Sequence, residues 1–266
     1  ACADEENVSI SVRLRPPPPE HGGSWRRVVR PEPCALWIGV SRNVEELLLA
    51  PMFPQHAEAT TGSAMRRAEE VLGEMAWSPT LHRLDHFETE PEYVEPLAAS
   101  LREAVDDGAH ILFSYHGLPL SHVRRSDPTR SHCQKVDNCC ATACSANAMC
   151  YAHHCHMTTT AVVEALGLPE DRWSLSYQSR LGPVKWLTPA STSAVVDLAK
   201  RGVTNVAVVA PAFVVDGLET LEELEIELRE TFMEAGGKAF RVVPCLNDEP
   251  TWVDGVHSLI ERAFAA

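Results

Sequence analysis

The sequence predicts an α/β protein with parallel strands alternating with helices that flank the sheets. Three observations carry that prediction. Short apolar runs alternate with amphipathic helical stretches from about Asn43 to the C-terminus, several of these stretches are bounded by glycine, and 266 residues at 45% hydrophobic content can bury a substantial core. In sheets built this way ligands sit beyond the carboxyl ends of the strands.

The elements follow in order. Residues up to Pro33 form an irregular segment, with Pro16 to Pro19 in a row, Gly22 and Gly23, then Arg26, Arg27 and Arg30, and no lasting periodicity. The chain opens on Ala1 rather than methionine, which fits a fragment or a misassigned start as well as a designed tail. Glu45 to Phe53 reads as a strand entering a loop, Ser63 to Met75 as a helix after Gly62, Leu81 to Phe87 as a strand, and Glu92 to Asp107 as a helix ended by Gly108. His110 to Tyr115 is a short, mostly apolar strand. Helices are then expected over Thr158 to Leu166, Thr192 to Arg201, Leu218 to Ala235 and Thr251 to Phe264. Strands are expected at Trp173 to Tyr177, Asn205 to Ala210 and Ala239 to Val243.

Charge narrows the function classes. Acidic residues outnumber basic ones by 37 to 23, a net charge of −14 that argues against nucleic acid and favours a cationic partner. No run approaches the roughly 20 apolar residues of a spanning helix, and Asp4, Glu5 and Glu6 stand where a signal peptide would be basic and then apolar. A cytoplasmic protein is expected, with peripheral contact to a membrane surface left open.

Three groups of residues carry chemistry. His116 directly follows the His110 to Tyr115 strand and precedes Gly117, so its imidazole is expected at a strand tip; a lone histidine there also suits simple packing with a backbone hydrogen bond. Asp216, Glu219 and Glu223 are spaced three and then four apart, which lines the carboxylates on one helix face. Such a row binds a cation or relays protons, although Asp216 with Glu219 also reads as a capping box. The third group is Cys133, Cys139, Cys140, Cys144, Cys150 and Cys155, among His132, His153, His154 and His156. So dense a cluster in polar sequence points to metal ligation, a [2Fe-2S] cluster or a structural zinc, rather than to disulfides or free thiols.

With these residues in view the chain resembles the ferrochelatases from about Val44 onward. Five ordered motifs carry the likeness: Pro51-Met52-Phe53-Pro54-Gln55 with Ala59-Thr60-Thr61-Gly62-Ser63; Leu112 to Pro119 with Ser126-Asp127-Pro128; Tyr177 to Pro183 ending in Trp186-Leu187; Ala212-Phe213 with Asp216 and Leu218 to Glu223; and Pro244 to Asp248. The resemblance implies two Rossmann-like, chelatase-type halves, the first a remnant over 34–108 and the second over 109–266. The first half is incomplete because the family's opening strand, glycine-containing loop and porphyrin-contacting helices are not recognisable before Cys34. It further implies insertion of Fe²⁺ into a porphyrin, with His116 and Glu219 near the macrocycle centre as metal ligand, proton acceptor or both, and with Glu223 and Asp216 continuing the acidic row. Trp186 would face the porphyrin, with Gln178 and Ser179 in the adjoining loop. The stretch from about Cys133 to Cys155 resembles the cysteine insert of bacterial ferrochelatases that carry a [2Fe-2S] cluster, with Cys133, Cys140, Cys150 and Cys155 as expected ligands and Cys139 and Cys144 in reserve. Three other readings stand beside this one: a non-catalytic relative that holds a cluster or haem, a structural zinc protein, and a cobalt or nickel chelatase.

Overall fold

The computed structural model describes residues 10–11 and 45–265. Apart from Ile10–Ser11, the segment expected to be irregular over 1–33 and the start of the first half before residue 45 lie outside the described residues. Two sheets organise the rest. In the smaller one β2 (Glu46–Pro51) pairs in parallel with β3 (Thr80–Arg83) and antiparallel with the two-residue β1 (Ile10–Ser11). The larger holds β4 (His110–His116), β5 (Trp173–Gln178), β6 (Asn205–Val209) and β7 (Ala239–Val242), all parallel, in the order β5-β4-β6-β7.

β4 is flanked on both sides, and its residues from His110 to Tyr115 are buried. Its side chains alternate between faces, as strand geometry requires. Ile111, Phe113 and Tyr115 pack with α2 (Pro91–Asp106) and α4 (Tyr151–Leu166), while Leu112 packs on the opposite side with α5 (Ser191–Lys200), Leu224, Leu228 and Phe232. α2 carries proline at its first turn, where no amide hydrogen bond is lost. α4 ends on Gly167 in the left-handed conformation, its amide bonded to Glu164.

The smaller sheet is covered by α1 (Ser63–Glu74) on one face, where Leu47 and Leu49 meet Met65, Ala68 and Leu72. Its other face receives the closing helix α7 (Pro250–Ala265), through Leu48, Ala50 and Ile260. α7 also lies close to α2: a Cβ on Gly255 would come within 2.6 Å of the Glu92 carbonyl. The end of the chain, grouped by sequence with the second half, thus returns to the first sheet.

Several elements differ from expectation. β3 stops at Arg83 because Phe87, read as its last residue, leaves the sheet, bonds the Pro54 carbonyl and packs against Tyr93 and Trp252. α4 begins at Tyr151, well before Thr158, because its first turns bury His153, His154 and Cys155, which give no apolar periodicity. The helix expected over Leu218 to Ala235 is a π-helix from Glu219–Leu228 followed by α6 (Arg229–Glu234). A short α3 (Leu120–Arg125) has no counterpart in the sequence reading.

Candidate functional site

His116 is the last residue of β4, in register with Gln178, the last residue of β5. Its Nδ1 lies 2.8 Å from the Gly117 carbonyl, which accepts the Nδ1 proton. The His116 carbonyl accepts from the Tyr151 hydroxyl at 2.8 Å, and its ring stands 6.2 Å from that of Phe213, beyond β6. Gly117 donates its amide to the Gln178 carbonyl at 2.9 Å. Its missing side chain is what lets the strands come together, since a Cβ would lie 2.6 Å from that oxygen and 3.3 Å from the Trp186 indole. The indole nitrogen of Trp186 donates to the Leu181 carbonyl at 2.9 Å and closes the loop after β5.

The same edge holds the start of the acidic helix. Gln178 is buried, accepts from Ser114 at 3.0 Å and donates to the Glu219 carbonyl at 3.1 Å. Ser179, at φ 59°, gives its amide to one Glu223 oxygen at 2.5 Å and its hydroxyl to the other at 2.6 Å. The tip of β5 therefore anchors the helix at two successive residues. Asp216 is committed differently: its carboxylate accepts from Thr220 at 2.9 Å, from Asn247 at 2.7 Å and from the Cys245 amide at 3.3 Å. Burial opposes its ionisation, but these donors outweigh it and hold the carboxyl below its ordinary pKa. The Asp216 amide bonds Asn247 rather than Glu219, so the reciprocal capping box does not form. Around this edge Leu181, Val184, Val215, Leu218 and Leu221 are exposed, apolar side chains beside the polar groups at the strand tips.

The cysteine segment lies behind His116. Cys139 and Cys140 have sulfurs 3.8 Å apart, Cys140 packs against Cys133 and Cys150, and Cys133, Cys139 and Cys150 line one recess with Asp127 and Asn147. Asp127 accepts from the amides of Thr129, His132 and Cys133, each at 2.9 Å, and from the Thr129 hydroxyl at 2.7 Å. Asn147 donates to the Cys139 and Thr142 carbonyls at 3.0 and 2.9 Å. The neighbouring Cys140 thiol, helped by backbone amides at the start of α4, lowers the Cys150 pKa; burial and then the neighbouring sulfurs push Cys133 up to about 11. Cys144 is exposed, its sulfur 3.7 Å from His132 Nε2. Cys155 lies apart, fully buried in the main core with Tyr115, Tyr151 and Tyr177. Of the four thiols expected together, Cys133, Cys140 and Cys150 meet, and Cys139 is the fourth neighbour.

Sequence reasoning missed Tyr151 and Asn147 as site-shaping residues and had Asp127 only as part of the Ser126-Asp127-Pro128 motif. Tyr151 left a signal as the aromatic residue next to Cys150. No described helix is long and apolar enough to cross a membrane.

A parallel α/β sheet presenting a histidine and glutamates at one carboxyl edge defines a class of ligand-binding α/β protein. SirB of Bacillus subtilis, solved with Fe³⁺, shares the fold: the match has a TM-score of 0.51 at 12% identity and covers 84% of this chain and 73% of SirB. The sequence profile of the ferrochelatase family matches residues 39–264, and the chain belongs to that family. It is 42% identical over 226 residues to the ferrochelatase of Pseudomonas fluorescens (strain Pf0-1), covering 84% of this chain and 66% of that protein. To the ferrochelatase of Bdellovibrio bacteriovorus it is 43% identical over 222 residues, covering 82% and 64%. The chain thus spans just under two thirds of the length of these relatives.

Proposed function

We propose that the protein inserts Fe²⁺ into a porphyrin, protoporphyrin IX or coproporphyrin III, with release of two protons, in the synthesis of haem. One observation carries the reading: His116 and Glu219 stand on one sheet edge, joined through Gln178. Metallation must remove two pyrrole protons and deliver a dehydrated cation, which calls for borderline and hard ligands around a base. His116 would take that role at the strand tip, its ring oriented by the bond from Nδ1 to the Gly117 carbonyl. Glu219 would supply a carboxylate from the start of the helix, and Glu223, held by Ser179, extends the negative potential along it. Asp216, with donors on both oxygens, acts by fixing the start of the helix. Trp186 and the exposed leucines and valines offer apolar surface to a flat macrocycle, with Gln178 and Ser179 holding the adjoining wall. Those apolar side chains would also rest on a membrane surface, the protein working from the cytoplasm.

The thiols suit a [2Fe-2S] cluster. Three sulfur donors line one recess, with the Cys140 sulfur 3.8 Å from that of Cys139, on a loop already tied down by Asp127 and Asn147, which makes a soft site. Cys133, Cys139, Cys140 and Cys150 would hold the cluster, which supplies a one-electron redox centre and a cross-link when bound. Cys150 immediately precedes Tyr151, whose hydroxyl holds the His116 carbonyl, so the thiol loop and the strand tip share a support.

The test is conversion of porphyrin and Fe²⁺ to haem by the purified protein. Turnover that is lost in His116→Ala and in Glu219→Gln supports the proposal. Iron-dependent visible absorption with no turnover by the unaltered chain would instead mark a non-catalytic relative.

A further inference from the structure

We propose that His86, Glu88 and His154 form a second cation site, away from the His116 edge, for a borderline divalent ion of the Fe²⁺, Co²⁺, Ni²⁺ or Zn²⁺ kind. His86 and Glu88 lie on the loop from β3 to α2, and His154 lies in the first turn of α4. One ligand atom from each falls within 4.8 Å of the others. His86 Nδ1 is 2.6 Å from one Glu88 oxygen, His154 Nε2 is 3.7 Å from the other, and the two imidazole centroids are 4.8 Å apart. Metal bonds of about 2.1 Å would draw such atoms together with small side-chain shifts.

The donor set selects the ion. Two imidazoles and one carboxylate favour borderline transition metals over Mg²⁺ or Ca²⁺, which take oxygen ligands. Glu88 and His154 are buried while His86 is partly exposed, and an open pocket lined by Thr89, Cys144, Ser145 and Met157 reaches Glu88 and His154 from solvent. A second observation points the same way. His56 is buried beside this group, its amide 3.1 Å from His154 Nδ1, and its own Nδ1 has no hydrogen-bond partner. Buried imidazole nitrogens normally find partners, and here one is left over next to a carboxylate and two further imidazoles.

Occupation requires a change of tautomer. His154 now donates Nε2–H to the Ala148 carbonyl at 2.9 Å and accepts from the His56 amide at Nδ1. The cation replaces the Nε2 proton, Nδ1 takes a proton, the His56 amide turns away, and the Ala148 oxygen becomes an adjacent ligand. His86 likewise clears Nδ1, its proton moving to Nε2 when the ring is neutral and to solvent when the ring, whose pKa the Glu88 hydrogen bond raises, is charged beforehand. The bound ion would clamp the loop of the first sheet to α4, the helix that carries Tyr151.

Co²⁺ titration of the purified full chain, read by visible absorption and by the metal retained on dialysis, tests the site. His116, Glu219 and the thiols also bind Co²⁺, but sulfur ligation gives an intense near-ultraviolet band, and His116→Ala removes its own site. The expected result is that His86→Ala and Glu88→Gln each lose one equivalent of nitrogen- and oxygen-bound Co²⁺, or at least tenfold in its affinity, whereas His116→Ala keeps that equivalent. His86→Ala removes a partly exposed ring, and a thermal melt confirms that it folds; it decides the matter if the buried Glu88 variant does not. Unchanged stoichiometry and affinity in folded His86→Ala overturn the proposal. Neither result depends on whether the chain metallates porphyrin.

Discussion

Gly117→Ala puts one methyl group at the point where β4, β5 and Trp186 meet. The added Cβ would lie 2.6 Å from the Gln178 carbonyl oxygen, well inside contact distance, and 3.3 Å from the indole. No flexible side-chain end is there to yield, because the closer atom belongs to the backbone that accepts the Gly117 amide. The strand tips must separate by several tenths of an ångström, and overpacking of this kind costs about 1–3 kcal/mol. The backbone atom places it in the upper half of that range, so at about 2–4 °C per kcal/mol for a chain of this size the melting temperature should fall by roughly 4–12 °C. His116 and Trp186 move with the tips, and misplacement on that scale should lower haem formation by about tenfold or more. Differential scanning fluorimetry and a porphyrin metallation assay on the same preparation measure both effects. A variant that keeps the parent melting temperature and rate would refute the claim that this close approach positions the site.

Further outcomes are expected. Cys139→Ser should abolish thiolate-to-iron absorption and bound iron, whereas Cys155→Ser, which touches only the core, should keep both; visible spectra with iron analysis decide. Tyr151→Phe loses the bond to the His116 carbonyl, should cost about 1 kcal/mol of stability, and should slow metallation severalfold with little change in porphyrin affinity, as steady-state kinetics would show. Burial first, and then the charge of Arg201, hold the His110 pKa down to about 4. The unfolded chain therefore takes up a proton at His110 between pH 6.5 and 4 that the folded chain refuses, and stability should fall as pH drops through that window, by about 2 kcal/mol from this group. Urea unfolding at pH 7.0, 5.5 and 4.5 should show a shallower decline in His110→Gln.

The central sheet was readable because its signals are local. An apolar run ending in His116-Gly117 can only be a buried strand with a polar tip, and the acidic run after Val215 announces a helix at the next strand end. What the sequence hid depends on polar burial and on contacts distant in the chain. The start of α4 is written in His153, His154 and Cys155, so its true beginning, Tyr151, carried no apolar pattern. The same helix bears on the thiols: with α4 running through Cys155, this sulfur is turned about 140° around the helix from Cys150 and is buried in the core. Asp216 was read as part of the acidic row on spacing, but Asn247, 31 residues on, claims its carboxylate and amide.

The central claim is that His116 and Glu219 serve one reacting centre. Initial rates of haem formation for the unaltered chain, His116→Ala, Glu219→Gln and the double variant test it directly. Residues acting as a unit are strongly non-additive, so the double variant should be little slower than the worse single one. Losses that simply multiply would contradict the account and leave the two side chains working apart.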